Sequence, residues 1–135
     1  MTFVFPQKIL FKHCDPAGIV FFPRYFEMIN DCVEEFFDAV LGVSFVEIHK
    51  YGGVPTAEIS AKFSAPSRHG DDLNIRLECI KIGRSSLLLD FKGTCGKETR
   101  FTANSALVFV DTKGRPQSWP DGLRAAFETF KEGQN

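Results

Sequence analysis

The chain has 135 residues, of which 44% are hydrophobic, and its 16 basic and 17 acidic residues give a formal net charge of -1. A chain of this length can form one hydrophobic core but is too short for two ordinary domains, so we expect a single domain over residues 1–135. The basic residues are scattered and there is no net positive charge, which argues against nucleic acids and anionic membrane surfaces as partners.

Targeting segments and metal motifs are not recognisable in the sequence. Pro6 and Lys8 interrupt the apolar N-terminal stretch before it resembles a signal peptide. No run of about 18 apolar residues occurs, so we expect no membrane-spanning helix. The four cysteines, at positions 14, 32, 79 and 95, form no C-x-x-C pair, which favours free thiols and predicts no metal site. We therefore expect a soluble, cytoplasmic protein.

In the first half of the chain, the spacing of the apolar residues changes from that of a strand to that of a helix. Residues 3–13 alternate as in a strand, with Pro6 marking an edge or a bulge. From Pro23 to Leu41, apolar residues recur at three- and four-residue steps, which indicates a long helix that Gly42 ends. The apolar face of this helix is broad and aromatic, so we expect a curved sheet to wrap around it.

Four further strands and a short helix are predicted after the long helix. The strands cover residues 57–65, 73–79, 87–93 and 101–109. The four strands are expected to follow one another in a meander-like succession, with turns at Gly83 and at Gly96-Lys97 between the last three. Asp121 is expected to cap a short helix over residues 122–130. This order of elements predicts an α+β fold.

Apolar residues also fall on the predicted outer face of the sheet, where a monomer would carry polar groups. They are Ile80, Leu88, Ala106, Val108 and Val110. An apolar outer face favours burial against another subunit, so we expect a homo-oligomer.

The segment before the long helix carries the main candidate for chemistry, Asp15. It precedes a proline, which favours an extended backbone, and Gly18 allows a turn before Pro23 begins the helix. A carboxylate beside the unpaired backbone N–H groups of a helix start can act on a polarised carbonyl. It can equally cap the turn or the helix, and the residue pattern does not separate these roles.

Other polar residues nearby have ordinary interpretations. His13 and Cys14 are neighbours on the predicted strand and point to opposite faces, so they cannot form a nucleophile–base pair, and His13 is expected to be structural or part of a pocket wall. Glu27, Asp31 and Glu34 share one helix face, which is typical of a solvated face. Asp31 and Glu34 are retained as reserve catalytic acids for a site shared with a second subunit.

Two loops concentrate basic side chains. Lys81 and Arg84 flank the Gly83 turn, and Arg68 and His69 lie in the loop before the strand at residues 73–79. Basic loops are usually only solvated, but they can also hold a phosphate-bearing ligand on a protein without net positive charge.

The sequence from Asp15 to Phe26, DPAGIVFFPRYF, closely resembles the signature of the 4-hydroxybenzoyl-CoA thioesterase family of hotdog-fold proteins. The predicted element order agrees with a hotdog domain, in which a curved antiparallel sheet wraps one long central helix. The resemblance implies dimers or tetramers with active sites between subunits. It also implies an acyl-CoA substrate and no cofactor beyond the CoA of that substrate.

By motif position, the resemblance implies that Asp15 is the catalytic carboxylate, acting as nucleophile or as general base. The backbone N–H of Phe22 would polarise the thioester carbonyl. The resemblance makes Arg84 the first candidate for binding CoA phosphates, followed by Lys81, Arg68 and His69. Asn30 offers a neutral polar group to the acyl pocket, and the fifteen phenylalanines suit an aromatic or medium apolar acyl group.

An acyl-CoA thioesterase is therefore the favoured function, and alternatives stay open. The chain could instead bind acyl-CoA without turnover, or hydrolyse acyl carrier protein thioesters. A hotdog hydratase or dehydratase resembles a different motif, with histidine five residues after the aspartate, and Val20 at that position argues against it.

Overall fold

The computed structural model describes residues 2–134. Its elements in chain order are β1 (Phe3–Lys8), α1 (Pro23–Ala39), α2 (Phe45–Ile48), β2 (Thr56–Phe63), β3 (Asp72–Ile82), β4 (Ser86–Cys95), β5 (Glu98–Val108) and α3 (Asp121–Glu132). A single turn of 3-10 helix, Phe11–His13, lies between β1 and α1. Within the described residues, no helix has both the length and the apolar character needed to cross a membrane.

The strands form one antiparallel sheet in the order β1-β3-β4-β5-β2. The meander predicted for four strands is present in β3, β4 and β5 but is wrong for β2, and the two-residue turn Gly96-Lys97 joins β4 to β5. Gly96 has φ +59°, a conformation that glycine adopts without strain. In contrast, β2 pairs with β5 at the sheet edge, so the chain crosses the sheet between β2 and β3 instead of continuing the meander.

The core lies between α1 and the inner face of the curved sheet. Alternate residues of the last three strands are buried: Leu73, Ile75, Leu77 and Cys79 on β3, Leu87, Leu89, Phe91 and Gly93 on β4, and Phe101, Ala103, Ser105 and Leu107 on β5. The helix contributes Tyr25, Met28, Ile29, Cys32, Val33, Phe36 and Phe37. A Cβ at position 93 would overlap the ring of Phe101, which explains a glycine inside this strand. The predicted α+β hotdog architecture is thus confirmed.

Some element boundaries differ from the sequence-based prediction. The first strand ends at Lys8 rather than at His13, because the Leu10 N–H donates to His13 Nδ1 at 2.8 Å and the chain turns there. Helix α1 ends at Ala39, two residues before the predicted end, and Gly42 follows with φ +71°. Asp121 is the first residue of α3 and makes no side-chain cap.

The sheet leaves apolar side chains exposed on its outer face and at its β2 edge. Ile80 and Leu88 are exposed, as expected for the outer face, and Ala106, Val108 and Val110 are half-buried. On β2, Ile59 and Phe63 are also exposed, and the strand pairs with β5 on one side only. The oligomeric state inferred from the outer face stays a prediction.

Candidate active site

Asp15 lies in a tight turn that the chain makes before α1. The Asp15 N–H donates to the carbonyl of Ile19 at 3.0 Å, and the Gly18 N–H donates back to the carbonyl of Asp15 at 2.9 Å. An antiparallel bridge between Cys14 and Val20 closes the turn. Gly18 has φ +82°, so this position favours glycine, as the sequence pattern predicts. The turn holds Asp15 half-buried at a fixed position in front of the helix.

The carboxylate of Asp15 is oriented by one of its two oxygens. Oδ1 accepts a hydrogen bond from the Ala17 N–H at 2.8 Å, which is the turn-capping role that the sequence left open. Oδ2 accepts no hydrogen bond from any residue between 2 and 134. Capping and chemistry are therefore compatible, because one oxygen fixes the side chain and leaves the other available.

The backbone N–H of Phe22 lies at the start of α1. The preceding N–H, of Phe21, donates to the His13 carbonyl at 2.9 Å, and Pro23 has no N–H. The Phe22 N–H itself finds no acceptor in the part of the chain that the structure describes. It lies at the positive end of the helix dipole, where a developing negative charge is stabilised. The Phe22 side chain is 54% exposed, and its ring lies 5.9 Å from that of Phe63.

A groove of about 690 Å³ runs along the first turns of α1. Its lining comprises Lys12, His13, Arg24, Phe26, Glu27, Met28, Asn30 and Asp31. Asn30 and Asp31 thus line the same groove as His13. His13 lies two residues before Asp15 in the chain. Glu34 lies farther along the helix, exposed and outside this lining.

His13 is a buried, neutral part of the groove wall. Its Nδ1 accepts the Leu10 N–H, so the neutral ring carries its proton on Nε2. Burial lowers the pKa of His13, and the nearby positive charges of Lys12 and Arg24 lower it further. The Cys14 thiol lies 3.8 Å from the Leu10 carbonyl and makes no pair with His13. The strand on which the orientation of these two residues was predicted is wrong, because His13 belongs to a 3-10 turn.

The cysteines form no disulfide, as expected. All four are free thiols, and burial raises the pKa of Cys32 to about 12 and that of Cys79 to about 11. Within residues 2–134, no group of three or more His, Cys, Asp or Glu side chains is arranged to hold a metal ion.

The two basic loops lie at opposite ends of the sheet. Arg68 forms an antiparallel bridge with Ile19, so it and His69 adjoin the Asp15 turn. Lys81 and Arg84 lie at the far end of β3, a strand of 11 residues. At about 3.3 Å per residue, that strand is roughly 35 Å long. Arg84 Nη1 donates to Ser118 Oγ at 2.6 Å.

Arg100 on β5 holds the loop between β2 and β3 beside the Asp15 turn. Its Nη1 donates to Asp71 Oδ2 at 2.7 Å, to the Pro66 carbonyl at 3.1 Å and to Ser67 Oγ at 3.2 Å. Asp71 Oδ2 also accepts the Arg68 N–H at 2.9 Å. The hydrogen bond from Arg100 makes the largest contribution to lowering the pKa of Asp71, because it stabilises the charged carboxylate.

We expect Asp71→Asn to lower the free energy of unfolding at neutral pH by about 1.5 kcal/mol, the value of a charged hydrogen bond. Because the pKa of Asp71 is lowered in the fold, its contribution is present above the ordinary value of 3.8 and is lost as pH falls through the folded value. The difference from wild type should therefore shrink in acid, as measured by urea unfolding at a series of pH values.

Asp72→Asn is the matched control for this prediction. The Asp72 carboxylate is 79% exposed and pairs with Lys8 at 3.4 Å. An exposed pair contributes about 0–1 kcal/mol, so this variant should remain close to wild type. Equal effects of the two substitutions at every pH would contradict the role given to Asp71.

Comparisons with known proteins identify a thioester hydrolase with a hotdog fold. The chain belongs to the thioesterase-like superfamily, whose family model matches residues 9–127. It is 23% identical over 117 residues to a 1,4-dihydroxy-2-naphthoyl-CoA hydrolase of Synechococcus elongatus, covering 84% of this chain and 85% of that protein. The family resemblance of the sequence from Asp15 to Phe26 is confirmed.

Solved structures share the fold at low sequence identity. A 1,4-dihydroxy-2-naphthoyl-CoA thioesterase from Synechocystis has a TM-score of 0.86 and 19% identity, covering 94% of this chain and 96% of its own. A gentisyl-coenzyme A thioesterase has a TM-score of 0.86 and 24% identity over 93% and 99% of the two chains. A Staphylococcus aureus protein, solved in complex with CoA, has a TM-score of 0.93 and 16% identity over 100% and 87%. These likenesses confirm the hotdog fold.

Proposed function

We propose that the chain hydrolyses acyl-CoA thioesters at Asp15 and the backbone N–H of Phe22. The observation that carries this proposal is that the segment leading into α1 contains two groups with unused hydrogen-bonding capacity. Asp15 Oδ2 has no hydrogen-bond donor, and the Phe22 N–H has no acceptor, within residues 2–134. A thioester carbonyl would satisfy the N–H and expose its carbon to the carboxylate.

Two routes to products use the same groups. As general base, Asp15 takes a proton from water while the hydroxyl adds to the carbonyl carbon. The C–S bond then breaks, and the proton passes from Asp15 to the sulfur, so that CoA leaves as the thiol with the free acid. As nucleophile, the carboxylate first forms an acyl anhydride and displaces CoA, and water then hydrolyses the anhydride. In both routes the Phe22 N–H stabilises negative charge on the carbonyl oxygen, and such a donor contributes about 10²–10³-fold in kcat.

The acyl group is proposed to be aromatic or a medium apolar chain. The groove along α1 supports this assignment, since it combines the apolar surfaces of Phe26 and Met28 with the polar groups of His13 and Asn30. The named relatives act on 1,4-dihydroxy-2-naphthoyl-CoA and gentisyl-CoA, which carry aromatic acyl groups. By analogy, this chain is proposed to accept an aromatic ring with polar substituents.

The phosphates of CoA are proposed to meet basic side chains from two subunits. Arg68 and His69 adjoin the Asp15 turn of their own chain. The far-end pair, Lys81 and Arg84, is separated from that turn by the length of β3. A second copy of the chain would have to supply the far-end pair, which agrees with the proposed homodimer or homotetramer.

The proposal is tested by incubating the purified protein with aromatic and aliphatic acyl-CoA thioesters and measuring free thiol release. Release that is proportional to protein concentration, and fastest with aromatic thioesters, would support both the reaction and the acyl class. Binding of the thioesters without thiol release would contradict it in favour of a non-catalytic acyl-CoA-binding protein. Turnover confined to thioesters carried by acyl carrier protein would contradict the choice of CoA.

We expect Arg84→Ala to raise KM for acyl-CoA by up to about fivefold, the effect of losing an exposed ion pair of about 1 kcal/mol. Its kcat should stay within about twofold, because a phosphate contact remote from the carbonyl binds substrate and transition state equally. Steady-state thiol release measures both constants. Lys97→Ala, in the exposed β4–β5 turn, is the control. If KM does not change in Arg84→Ala, Arg84 has no role in phosphate binding.

A further inference from the structure

The outer face of the sheet carries charged side chains in two adjacent rows that run across the strands. The basic row consists of Arg76 on β3, Lys92 on β4, Thr102 on β5 and Lys62 on β2, each opposite the next. Two residues farther along the strands, the acidic row consists of Glu78 on β3, Asp90 on β4, Asn104 on β5 and Ser60 on β2. Both rows line one depression of about 590 Å³. The charges of this face are thus separated by sign.

This separation is unfavourable in an isolated chain. Arg76 lies directly opposite Lys92, and Glu78 lies directly opposite Asp90. Like charges at directly opposite positions destabilise an antiparallel strand pair. Within residues 2–134, Arg76 Nε lies 3.6 Å from Glu78 Oε1, whereas Lys92 and Asp90 form no ion pair. Opposite charges supplied from outside the chain would relieve both like-charge pairs.

A second copy of the same face offers those charges at matching positions. A two-fold axis that is parallel to the rows and midway between them exchanges the basic row with the acidic row. Each strand then lies over its own equivalent, so Arg76 faces Glu78 of the second copy and Lys92 faces Asp90 of the second copy. In a two-fold contact every such pair occurs twice. Four ion pairs between the copies would therefore form at the centre of the face.

The face is also large enough for a stable contact. Strands β3, β4 and β5 have 10 or 11 residues, and β4 is the middle strand of the five. At about 3.3 Å per residue and about 4.8 Å between strands, the face covers roughly 600 Å². Stable interfaces bury about 800 Å² per partner. Beside the acidic row, Ile80 and Leu88 are 45% and 36% exposed and add apolar area to the same face.

We propose that two copies of the chain pack through the outer faces of their sheets, with the basic row of each on the acidic row of the other. A displacement of the copies by two residues along the strands would place like charges on each other, which opposes association. The charge pattern thus sets the register of the contact. The groups of the proposed active site lie at the start of α1, on the other side of the sheet, so this contact leaves them open.

The test makes the two rows alike and then restores complementarity by mixing. Arg76→Glu with Lys92→Glu makes both rows acidic, and Glu78→Lys with Asp90→Lys makes both rows basic. By sedimentation of the purified full chain, each double variant alone should have about half the wild-type assembly mass at the same concentration, because like charges face each other. An equimolar mixture of the two should recover the wild-type mass, since an acidic face then meets a basic one.

The control is Lys97→Glu with Lys113→Glu, which makes the same change of charge at exposed turn positions and should keep the wild-type mass. Half the mass for each double variant, with recovery on mixing, supports the proposal. A monomeric wild-type protein, double variants of wild-type mass, or a mixture without recovery overturns it, because the face would then be solvated or covered by a different partner.

Circular dichroism reports whether the double variants fold. If one does not, the single substitutions Lys92→Glu and Asp90→Lys replace them in the same design. Each alone should raise the dissociation constant of the assembly by at least about fivefold, the effect of losing ion pairs worth about 1 kcal/mol. Mixing these two variants pairs opposite charges again and should restore the wild-type constant. An unchanged dissociation constant in either single variant overturns the proposal.

Discussion

Asp15→Asn is expected to lower kcat for acyl-CoA hydrolysis by about 10²–10⁴-fold, the contribution of a positioned general base. Asparagine keeps an Oδ1 that can accept the Ala17 N–H, so the turn should persist. What it loses is the negative charge needed to attack a carbonyl or to take a proton from water. Steady-state thiol release gives kcat, and circular dichroism and elution volume report whether fold and oligomer are intact.

The control for this substitution is Asp38→Asn, which alters an exposed carboxylate near the end of α1 and should leave kcat unchanged. An Asp15→Asn protein with wild-type kcat would contradict the assignment and would move the catalytic role to Asp31 or Glu34. Of these two, Asp31 would be tested first, because it lines the groove beside His13 and Glu34 does not.

Phe36→Ala is expected to have the largest effect on stability, lowering the free energy of unfolding by about 3–5 kcal/mol. Phe36 is completely buried, and its ring contacts Phe130 of α3 at 4.8 Å and Phe3 of β1 at 5.6 Å. The substitution therefore leaves a cavity where α1, α3 and β1 meet. Urea unfolding measures the loss.

Phe11→Ala provides the comparison, since Phe11 is 80% exposed. Exposed substitutions usually change stability by less than about 0.5 kcal/mol. If the two variants lost the same stability, the aromatic side chains of the chain would not form the core as described.

Much of the fold could be predicted from local hydrophobic patterns. Strand alternation identifies which side chains of β3, β4 and β5 are buried, because one face of each strand packs on α1. The pairing of β2 with β5 could not be predicted, since alternation does not specify which strand lies beside an edge strand. The segment at residues 9–13 alternates like a strand, but the hydrogen bond between the Leu10 N–H and His13 Nδ1 bends it. The His13 side chain therefore ends the strand that the hydrophobic alternation predicts.

The candidate site was only partly predictable. Asp15 and Phe22 lie within a short motif, so their proximity follows from the turn and the helix start. Ser67 and Arg100 had no such signal, because they reach this turn from a loop and a strand far away in sequence. Tyr25 was assigned to the apolar face of the helix by its spacing, which is correct for its buried ring.

The separation of the two basic loops also depends on tertiary structure. Arg68 and Arg84 are both basic loop residues in the sequence, and nothing in the pattern ranks one nearer to Asp15. Arg68 lies beside the turn because it forms a bridge with Ile19. Arg84 is separated from the turn by the length of β3.

The most direct measurement is a single-turnover experiment, with the wild-type protein in excess over an aromatic acyl-CoA and free thiol followed in time. We expect one equivalent of thiol per thioester, released together with the free acid, and release slowed by about 10²–10⁴-fold with Asp15→Asn. Recovery of the intact thioester from wild-type protein that has bound it would contradict the account, because the carboxylate at the helix start would then hold a ligand without acting on it.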